Sequence, residues 1–323
     1  MADNKRLFVI DCDAGTDDAM AIMMVLARPD IHLLAITCVC GNAPIDDVVA
    51  NVGCVLEQCG VADTIPVYSG ASRPLVRRPY YALYYHGDDG LGGVRRERYS
   101  PVRWTGAKRE NAVDALLRLT RQFDKQITLL ALGPLTNLAL ACRIDPSIVS
   151  RLKEVVIMGG NMECRGTASA ATEFNFHVDP EAAHIVLEEY VRPTIITIES
   201  CSKEPRFEDE WWDEILNKET RKAAFVKDFT RHSFDWLSVK KWSMEPYDQA
   251  AAGVAISAET IVRDQAVLRA GVELHGTLTG GTMICDWKGQ FEKENDGLMG
   301  GTIILPLSYN NDKLKDMLIE SVM

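Results

Sequence analysis

The stretch LFVIDCDAGTDDAMAIMMVLA, from Leu7 to Ala27, decides the fold. It opens with an apolar run of strand length, turns at Gly15, and continues as an apolar segment of helical length. The same change of pattern follows at once in HLLAITCVCG, DDVVANVGCVLEQCG and IPVYSG. This alternation predicts a βαβαβ unit, in which helices cover both faces of a parallel sheet.

The alternation resumes between residues 110 and 200, from ENAVDALLRLTRQF to TIITIES. Residues 70–109, which are rich in Arg, Tyr and Gly, interrupt it and predict a long functional loop. After Cys201 come a polar helical stretch containing Trp, three strand-like runs and a terminal helix. We find no internal repeat or linker, so we expect one α/β catalytic domain over residues 1–323. Its sheet should be Rossmann-like and mainly parallel, with helices on both faces.

Composition limits the partners of this chain. Of its 323 residues 47% are hydrophobic, and its net charge of -11 argues against nucleic acid and anionic membranes. The nine cysteines are scattered and form no C-x-x-C pair, which indicates reduced thiols. The start has no signal-peptide pattern, and the longest apolar run is about half of the ~20 residues that a membrane span needs. We therefore expect a cytoplasmic protein with a small polar ligand.

Four aspartates follow the first strand within eight positions: Asp11, Asp13, Asp17 and Asp18. The first two should share one face of the strand and the last two should open the next helix, so all four can converge at the carboxyl edge of the sheet. Carboxylates so close together repel one another unless a cation neutralises them or one of them is protonated. Oxygen ligands favour Ca²⁺ or Mg²⁺ over zinc. A solvent-exposed strand end with a helix cap explains only one or two of the four.

Two other sites share parts of this pattern. An EF-hand is excluded, because its twelfth position needs a bidentate Glu and Ile22 stands there. A metal-dependent phosphatase of the haloacid dehalogenase type also begins with strand-D-x-D, and its first Asp is the nucleophile. That family resemblance implies Thr or Val two residues after the second Asp, whereas this chain has Gly15.

The pattern strand-D-x-D-x-G-x-D-D-x-x-A resembles the amino-terminal motif of the inosine-uridine-preferring nucleoside hydrolases. Further motifs of that family agree in order over roughly residues 7 to 257: Gly41–Asn42, Leu132–Ala139, Ile157–Gly160, Glu173–Ala183 and YDQAAAGVA around Asp248. The resemblance implies hydrolysis of the N-glycosidic bond of ribonucleosides to free base and ribose. It also implies a homodimer or homotetramer, and a role in nucleoside catabolism such as purine salvage.

The resemblance also implies site residues. Ca²⁺ would be held by Asp13, Asp18, the backbone carbonyl of Leu132, and Asp248. The ribose would be bound by Asp17, Asn42, Glu173 and Asn175, with the last two at its 5′ end. Met158 is either a wall against the ribose or part of the core. A carboxylate and an amide two apart on an extended segment face the same way, so we expect Glu173 and Asn175 to act together.

Cleavage of an N-ribosyl bond passes through a ribosyl cation, so it needs an activated water and help for the departing base. A water on Ca²⁺ is acidified, and Asp13 is the predicted general base. Tyr247 stands where better-known family members often have His, and Tyr is the poorer acid at neutral pH. His86, in the long loop, is the second candidate donor. A catalytically silent nucleoside-binding protein and the D-x-D phosphatase remain alternatives, and base preference stays open.

Overall fold

A computed structural model of the protein describes residues 5–101, 104–202, 209–291 and 300–323. Within these ranges the strands are β1 (Arg6–Cys12), β2 (Ile31–Cys38), β3 (Val67–Ser69), β4 (Ile127–Ala131), β5 (Glu154–Met158), β6 (Thr194–Ile196), β7 (Val262–Val272), β8 (Met283–Cys285) and β9 (Gly301–Tyr309). They form one sheet in the order β3-β2-β1-β4-β5-β6-β9-β7-β8. The strands from β3 to β9 in this order are parallel neighbours, and β7 pairs antiparallel with both β9 and β8. The predicted mainly parallel α/β sheet is confirmed.

The helices of the described ranges are α1 (Thr16–Leu26), α2 (Ile45–Gln58), α3 (Leu83–His86), α4 (Val94–Glu97), α5 (Ala112–Gln122), α6 (Thr136–Ile144), α7 (Ile148–Arg151), α8 (Phe174–Val178), α9 (Pro180–Glu189), α10 (Ile198–Cys201), α11 (Asp209–Leu216), α12 (Arg221–Lys240), α13 (Tyr247–Ile261) and α14 (Asn311–Val322). The start of the Trp-containing stretch predicted after Cys201, residues 203–208, lies outside the described ranges. None of the helices in the described part of the chain has the length and apolar character needed to cross a membrane.

Two hydrophobic cores lie on opposite faces of the sheet, because alternate side chains of a strand point to opposite sides. On β1, Phe8 and Ile10 pack into one core with residues of α1, α2, α12, α13 and α14. Val9 packs into the other core with residues of α5, α6 and α9. All three side chains are almost fully buried. The apolar run of β1 is therefore continuous because helices cover both of its faces.

Within the predicted loop, residues 70–101 contain the short helices α3 and α4 and are held by buried polar contacts. The Asp89 carboxylate accepts hydrogen bonds from the backbone N–H groups of Leu91 and Gly93, each at 2.8 Å. Asn51, on α2, donates to the carbonyl of Asp89 at 2.9 Å and to that of Ala14 at 3.1 Å. These contacts hold the loop against the aspartate segment that follows β1.

Candidate active site

Three carboxylates meet at the carboxyl edge of the sheet. Asp17 and Asp18 lie in the first turn of α1, and Asp248 lies in the first turn of α13, which packs against α1. One carboxylate oxygen from each of the three lies within 4.8 Å of the others. Asp18 and Asp248 are buried and Asp17 is partly exposed. This group of oxygen atoms has the chemistry and spacing of a site for a hard cation.

A tight backbone turn places Asp13 beside this group. Ala14 has a φ of 42°, a left-handed conformation that is uncommon for a residue with a side chain. The turn lets the Asp18 carboxylate accept hydrogen bonds from the backbone N–H groups of Gly15 at 2.8 Å and Asp13 at 3.3 Å. A Cβ atom on Gly41 would lie 2.1 Å from Oδ2 of Asp13. Gly41 therefore allows the backbone after β2 to approach the Asp13 carboxylate.

The carboxylates raise one another's pKa values. Burial, followed by the charge of Asp18, raises the pKa of Asp13 well above its ordinary value. Burial and the charge of Asp17 raise the pKa of Asp18 to about 7, and the same causes raise that of Asp248. Oδ1 of Asp13 is buried and has no hydrogen-bond donor among the described residues. A cation would relieve this repulsion and satisfy that oxygen, so the residues fit a bound metal ion.

Asp11 is not a member of the group formed by Asp17, Asp18 and Asp248. Its buried carboxylate accepts hydrogen bonds from Oγ1 of Thr37 at 2.6 Å and from Nδ2 of Asn137 at 2.8 Å. These partners, on β2 and α6, hold Asp11 within the sheet. Burial raises its pKa to about 7, despite the two hydrogen bonds that lower it.

Two of the predicted ribose ligands, Asn42 and Asn175, contact residues at the ends of neighbouring strands. Asn42 follows β2, donates its backbone N–H to Oδ2 of Asp13 at 2.7 Å, and donates its side-chain amide to Asp18 at 3.1 Å. The Asn175 side-chain amide donates to the carbonyl of Leu132 at 2.7 Å and to that of Met158 at 3.2 Å. Leu132 follows β4 and Met158 ends β5, which pairs with β4. The structure thus brings the ends of β1, β2, β4 and β5 to one edge of the sheet.

Glu173 and Asn175 do not lie on an extended segment, and that expectation is wrong. Glu173 is the N-cap of the short helix α8, and its carboxylate accepts from the backbone N–H groups of Asn175 at 2.8 Å, Phe176 at 3.1 Å and Gly160 at 2.9 Å. Capping orphan N–H groups favours the helical turn over an extended chain. The two side chains therefore have different partners, and burial raises the pKa of Glu173 to about 7.

Comparison with known proteins assigns the family. A family profile described as inosine-uridine preferring nucleoside hydrolase matches residues 8–305. The chain belongs to this family. It is 34% identical over 289 residues to the inosine-uridine preferring nucleoside hydrolase of Leishmania major, covering 88% of each chain. It is also 34% identical over 293 residues to the Crithidia fasciculata protein of the same name, with 88% of each chain covered.

Solved structures agree with this assignment. An inosine-guanosine nucleoside hydrolase superimposes with a TM-score of 0.87 at 28% identity, and the match covers 98% of each chain. The chain is thus a nucleoside hydrolase, an enzyme that acts on the N-glycosidic bond of ribonucleosides. The family is metal-dependent, in agreement with the cluster of Asp17, Asp18 and Asp248.

In this nucleoside hydrolase, His86 caps the helix that carries Asp17. Its Nδ1 accepts a hydrogen bond from the backbone N–H of Thr16 at 3.1 Å and lies 4.0 Å from Oδ1 of Asp17. Because a backbone N–H only donates, Nδ1 must accept, and the proton of the neutral ring is assigned to Nε2. Burial lowers the pKa of His86, so the neutral ring is favoured. His86 thus offers Nε2–H as a hydrogen-bond donor.

Tyr247 is the first residue of α13, directly before Asp248. Burial, and then the charge of Glu245, raises the pKa of the Tyr247 phenol well above its ordinary value. The phenol therefore stays protonated over the physiological pH range and can donate a hydrogen bond, but it does not release its proton readily.

Several polar residues around this site have no counterpart in the sequence-based predictions. Asn137 lies inside the LGPLTNLA motif and Thr16 lies inside the aspartate motif, so their positions offered a signal. Thr37 and Ser233 belong to no recognisable motif. Their contacts become visible only when distant segments are folded together.

Proposed function

We propose that this nucleoside hydrolase releases free base and ribose at a Ca²⁺ site formed by Asp13, Asp18, Asp248 and the backbone carbonyl of Leu132. The observation that carries the proposal is the convergence of the Asp17, Asp18 and Asp248 oxygens within 4.8 Å. Asp13, buried beside Asp18, adds an oxygen that lacks a donor among the described residues. Carboxylate and carbonyl oxygens are preferred ligands of Ca²⁺. When bound, the cation supplies Lewis acidity toward a water and the ribose hydroxyls.

Asp13 is assigned as the general base. Its Oδ2 is held by the backbone N–H of Asn42, whereas Oδ1 is free of donors among the described residues and can accept a proton. A buried carboxylate whose pKa is raised accepts a proton more readily than an exposed one. Asp17, the most exposed carboxylate of the cluster, and the Asn42 side chain bind the ribose hydroxyls, and the negative charge of the cluster stabilises the ribosyl cation.

Help for the departing base comes from hydrogen-bond donors. His86 offers Nε2–H and Tyr247 offers its phenol, and burial keeps both groups neutral. A neutral donor stabilises negative charge that develops on the base as the bond breaks. Glu173, Asn175 and Met158 complete the ribose side of the site.

The compartment, the oligomeric state and the metabolic role are proposed from the family resemblance. We place the enzyme in the cytoplasm as a homodimer or homotetramer that serves nucleoside catabolism, including purine salvage. All nine cysteines are free thiols, which suits a reducing compartment. The names of the relatives include inosine and uridine, so both purine and pyrimidine ribonucleosides are candidate substrates.

The proposal is tested by measuring reducing-sugar release in buffer without phosphate, with inosine, guanosine, adenosine, uridine and cytidine as substrates. We expect ribose and free base in equal amounts from at least one nucleoside, without any added phosphate. Nucleoside binding in a calorimeter without ribose release over hours would instead support the silent binding protein.

Asp11→Asn separates the hydrolase from the D-x-D phosphatase. Asn keeps an oxygen that accepts from Thr37 and Asn137, and burial, which raises the pKa of Asp11, already disfavours its charge. We expect nucleoside turnover within about fivefold of wild type, a change of about 1 kcal/mol in activation free energy. Turnover is measured as ribose release, with p-nitrophenyl phosphate as a parallel substrate. Phosphate release by the wild type that disappears in Asp11→Asn would contradict the hydrolase mechanism.

A further inference from the structure

Helix α12 holds the short helix α3 at two successive positions. Nε2 of His232 lies 3.2 Å from the carbonyl oxygen of Tyr84, and the Ser233 hydroxyl donates to the carbonyl of Tyr85 at 2.9 Å. The next residue of α3 is His86. The exposed His232 and the buried Ser233 therefore fix the backbone that presents His86 to the site.

The Ser233 hydroxyl also reaches the aspartate segment. Its Oγ lies 3.4 Å from Oγ1 of Thr16, which in turn lies 3.1 Å from Nδ1 of His86. Ser233 is 0% exposed, Thr16 1% and His86 4%, so water does not compete for these contacts. Buried polar groups of this kind are costly to leave without a partner.

The hydroxyl protons of Ser233 and Thr16 limit which of these residues can donate and which must accept. Ser233 has a single hydroxyl proton, which goes to the Tyr85 carbonyl, so toward Thr16 it can only accept. Thr16 has one hydroxyl proton, which it can donate either to Nδ1 of His86 at 3.1 Å or to Ser233 at 3.4 Å, while its backbone N–H donates to Nδ1 of His86. The ring of His86 is thus held by Thr16, while Ser233 contacts Thr16 and binds the carbonyl of Tyr85, the residue directly before His86.

We propose that Ser233 is a positioning residue of the hydrolysis reaction, acting through Thr16 and His86 to hold the imidazole beside Asp17. This inference rests on the proposed role of His86 as a donor to the departing base. A donor to that base contributes mainly in the transition state, whereas the ribose is bound at the aspartate side of the site. Loss of Ser233 should therefore lower kcat and leave KM nearly unchanged.

Ser233→Ala is the variant that tests this role. We expect kcat to fall about tenfold with KM within about twofold, since small displacements of catalytic groups cost up to ~10²-fold in rate. Ser238→Ala is the matched control, because it makes the same substitution at an exposed position of the same helix. Thr16→Ser keeps the hydroxyl and should retain kcat, whereas Thr16→Val should resemble Ser233→Ala. Equal kcat in Ser233→Ala and Ser238→Ala would overturn the proposal.

A double-mutant cycle distinguishes positioning from a general loss of structure. In a His86→Ala background, Ser233→Ala should have no further effect on kcat, because the residue through which it acts is gone. A tenfold loss in both backgrounds would overturn the proposal. Thermal melting of each variant shows whether the fold is retained.

The NMR signal of the ring Cε1–H of His86, assigned with His86→Ala, gives a readout that needs no turnover. We expect this signal to shift in Ser233→Ala and to stay unchanged in Ser238→Ala. An unchanged signal in Ser233→Ala would overturn the positioning role, whatever the activity. A wild-type enzyme that releases no ribose from any nucleoside would count against the proposed function, and the NMR signal would still decide whether Ser233 orients His86.

Discussion

Asp13→Ala lowers ribose release by about 10³-fold or more, because it removes both the proposed general base and a proposed cation ligand. General-base loss alone typically costs 10²- to 10⁴-fold. The variant should nevertheless fold, since the wild-type carboxylate is buried beside Asp18 and its charged form is disfavoured. Steady-state release of ribose, with Asp11→Asn as the comparison, measures the effect. Turnover within tenfold of wild type would exclude Asp13 as the base.

The raised pKa values of Asp13 and Asp18 predict how the stability of the fold depends on pH when metal is absent. A pKa raised in the folded state means that stability is fully present below the unfolded pKa and is lost as pH rises through the folded pKa. Chelated wild type should therefore melt at progressively lower temperature from about pH 4 to pH 7, the range set by the Asp18 pKa of about 7. The isosteric variant Asp13→Asn should weaken this loss. An equal pH dependence in both proteins would contradict repulsion within the cluster.

Asp248→Asn weakens metal binding by about a hundredfold or more. Loss of a residue that only hydrogen-bonds to a metal ligand typically weakens binding by about 10- to 100-fold, so loss of a ligand should cost at least as much. Asp248 comes from α13 and is the member of the cluster that is distant in sequence from Asp17 and Asp18. At low Ca²⁺, turnover should fall in parallel, and high Ca²⁺ should restore most of it. Asp13→Ala should not recover in this way, because it lacks the proposed general base.

Calorimetric titration with Ca²⁺, together with turnover at increasing Ca²⁺, measures this effect. Asp264→Asn, which changes an exposed carboxylate on β7, is the control and should bind Ca²⁺ like wild type. Wild-type affinity in Asp248→Asn would show that this carboxylate is not a ligand. Equal losses in Asp248→Asn and Asp264→Asn would indicate an effect of net charge alone.

The order of strands and helices was predictable because it depends on local patterns. The apolar run of β1, the turn at Gly15 and the helical period of α1 are all written within residues 6–26. Since parallel strands end at one edge of the sheet, the same reasoning placed Asp17 and Asp18 at a common site. Asp248 was identified only through the family resemblance, because nothing in its local sequence links it to α1.

Side-chain directions were harder to predict, because they depend on partners far along the chain. Strand alternation predicts that Asp11 and Asp13 are equivalent, but Thr37 and Asn137 bind the Asp11 carboxylate inside the sheet. Ser233 meets Thr16 across 217 positions of sequence, and no local pattern could indicate that contact. Polar networks of this kind form only after the sheet and helices have assembled.

The most direct test of whether the aspartate cluster works through a cation is ribose release from inosine and uridine. It is measured on protein that is metal-loaded, then exhaustively chelated, and then reloaded with Ca²⁺. We expect turnover to disappear on chelation and to return with Ca²⁺, which takes ~6 to 8 oxygen ligands, more fully than with the smaller Mg²⁺. The melting temperature at neutral pH should fall and recover in parallel, because a metal that binds the folded state stabilises it. Undiminished turnover after metal removal, confirmed by elemental analysis, would contradict a metal-dependent hydrolase at this site.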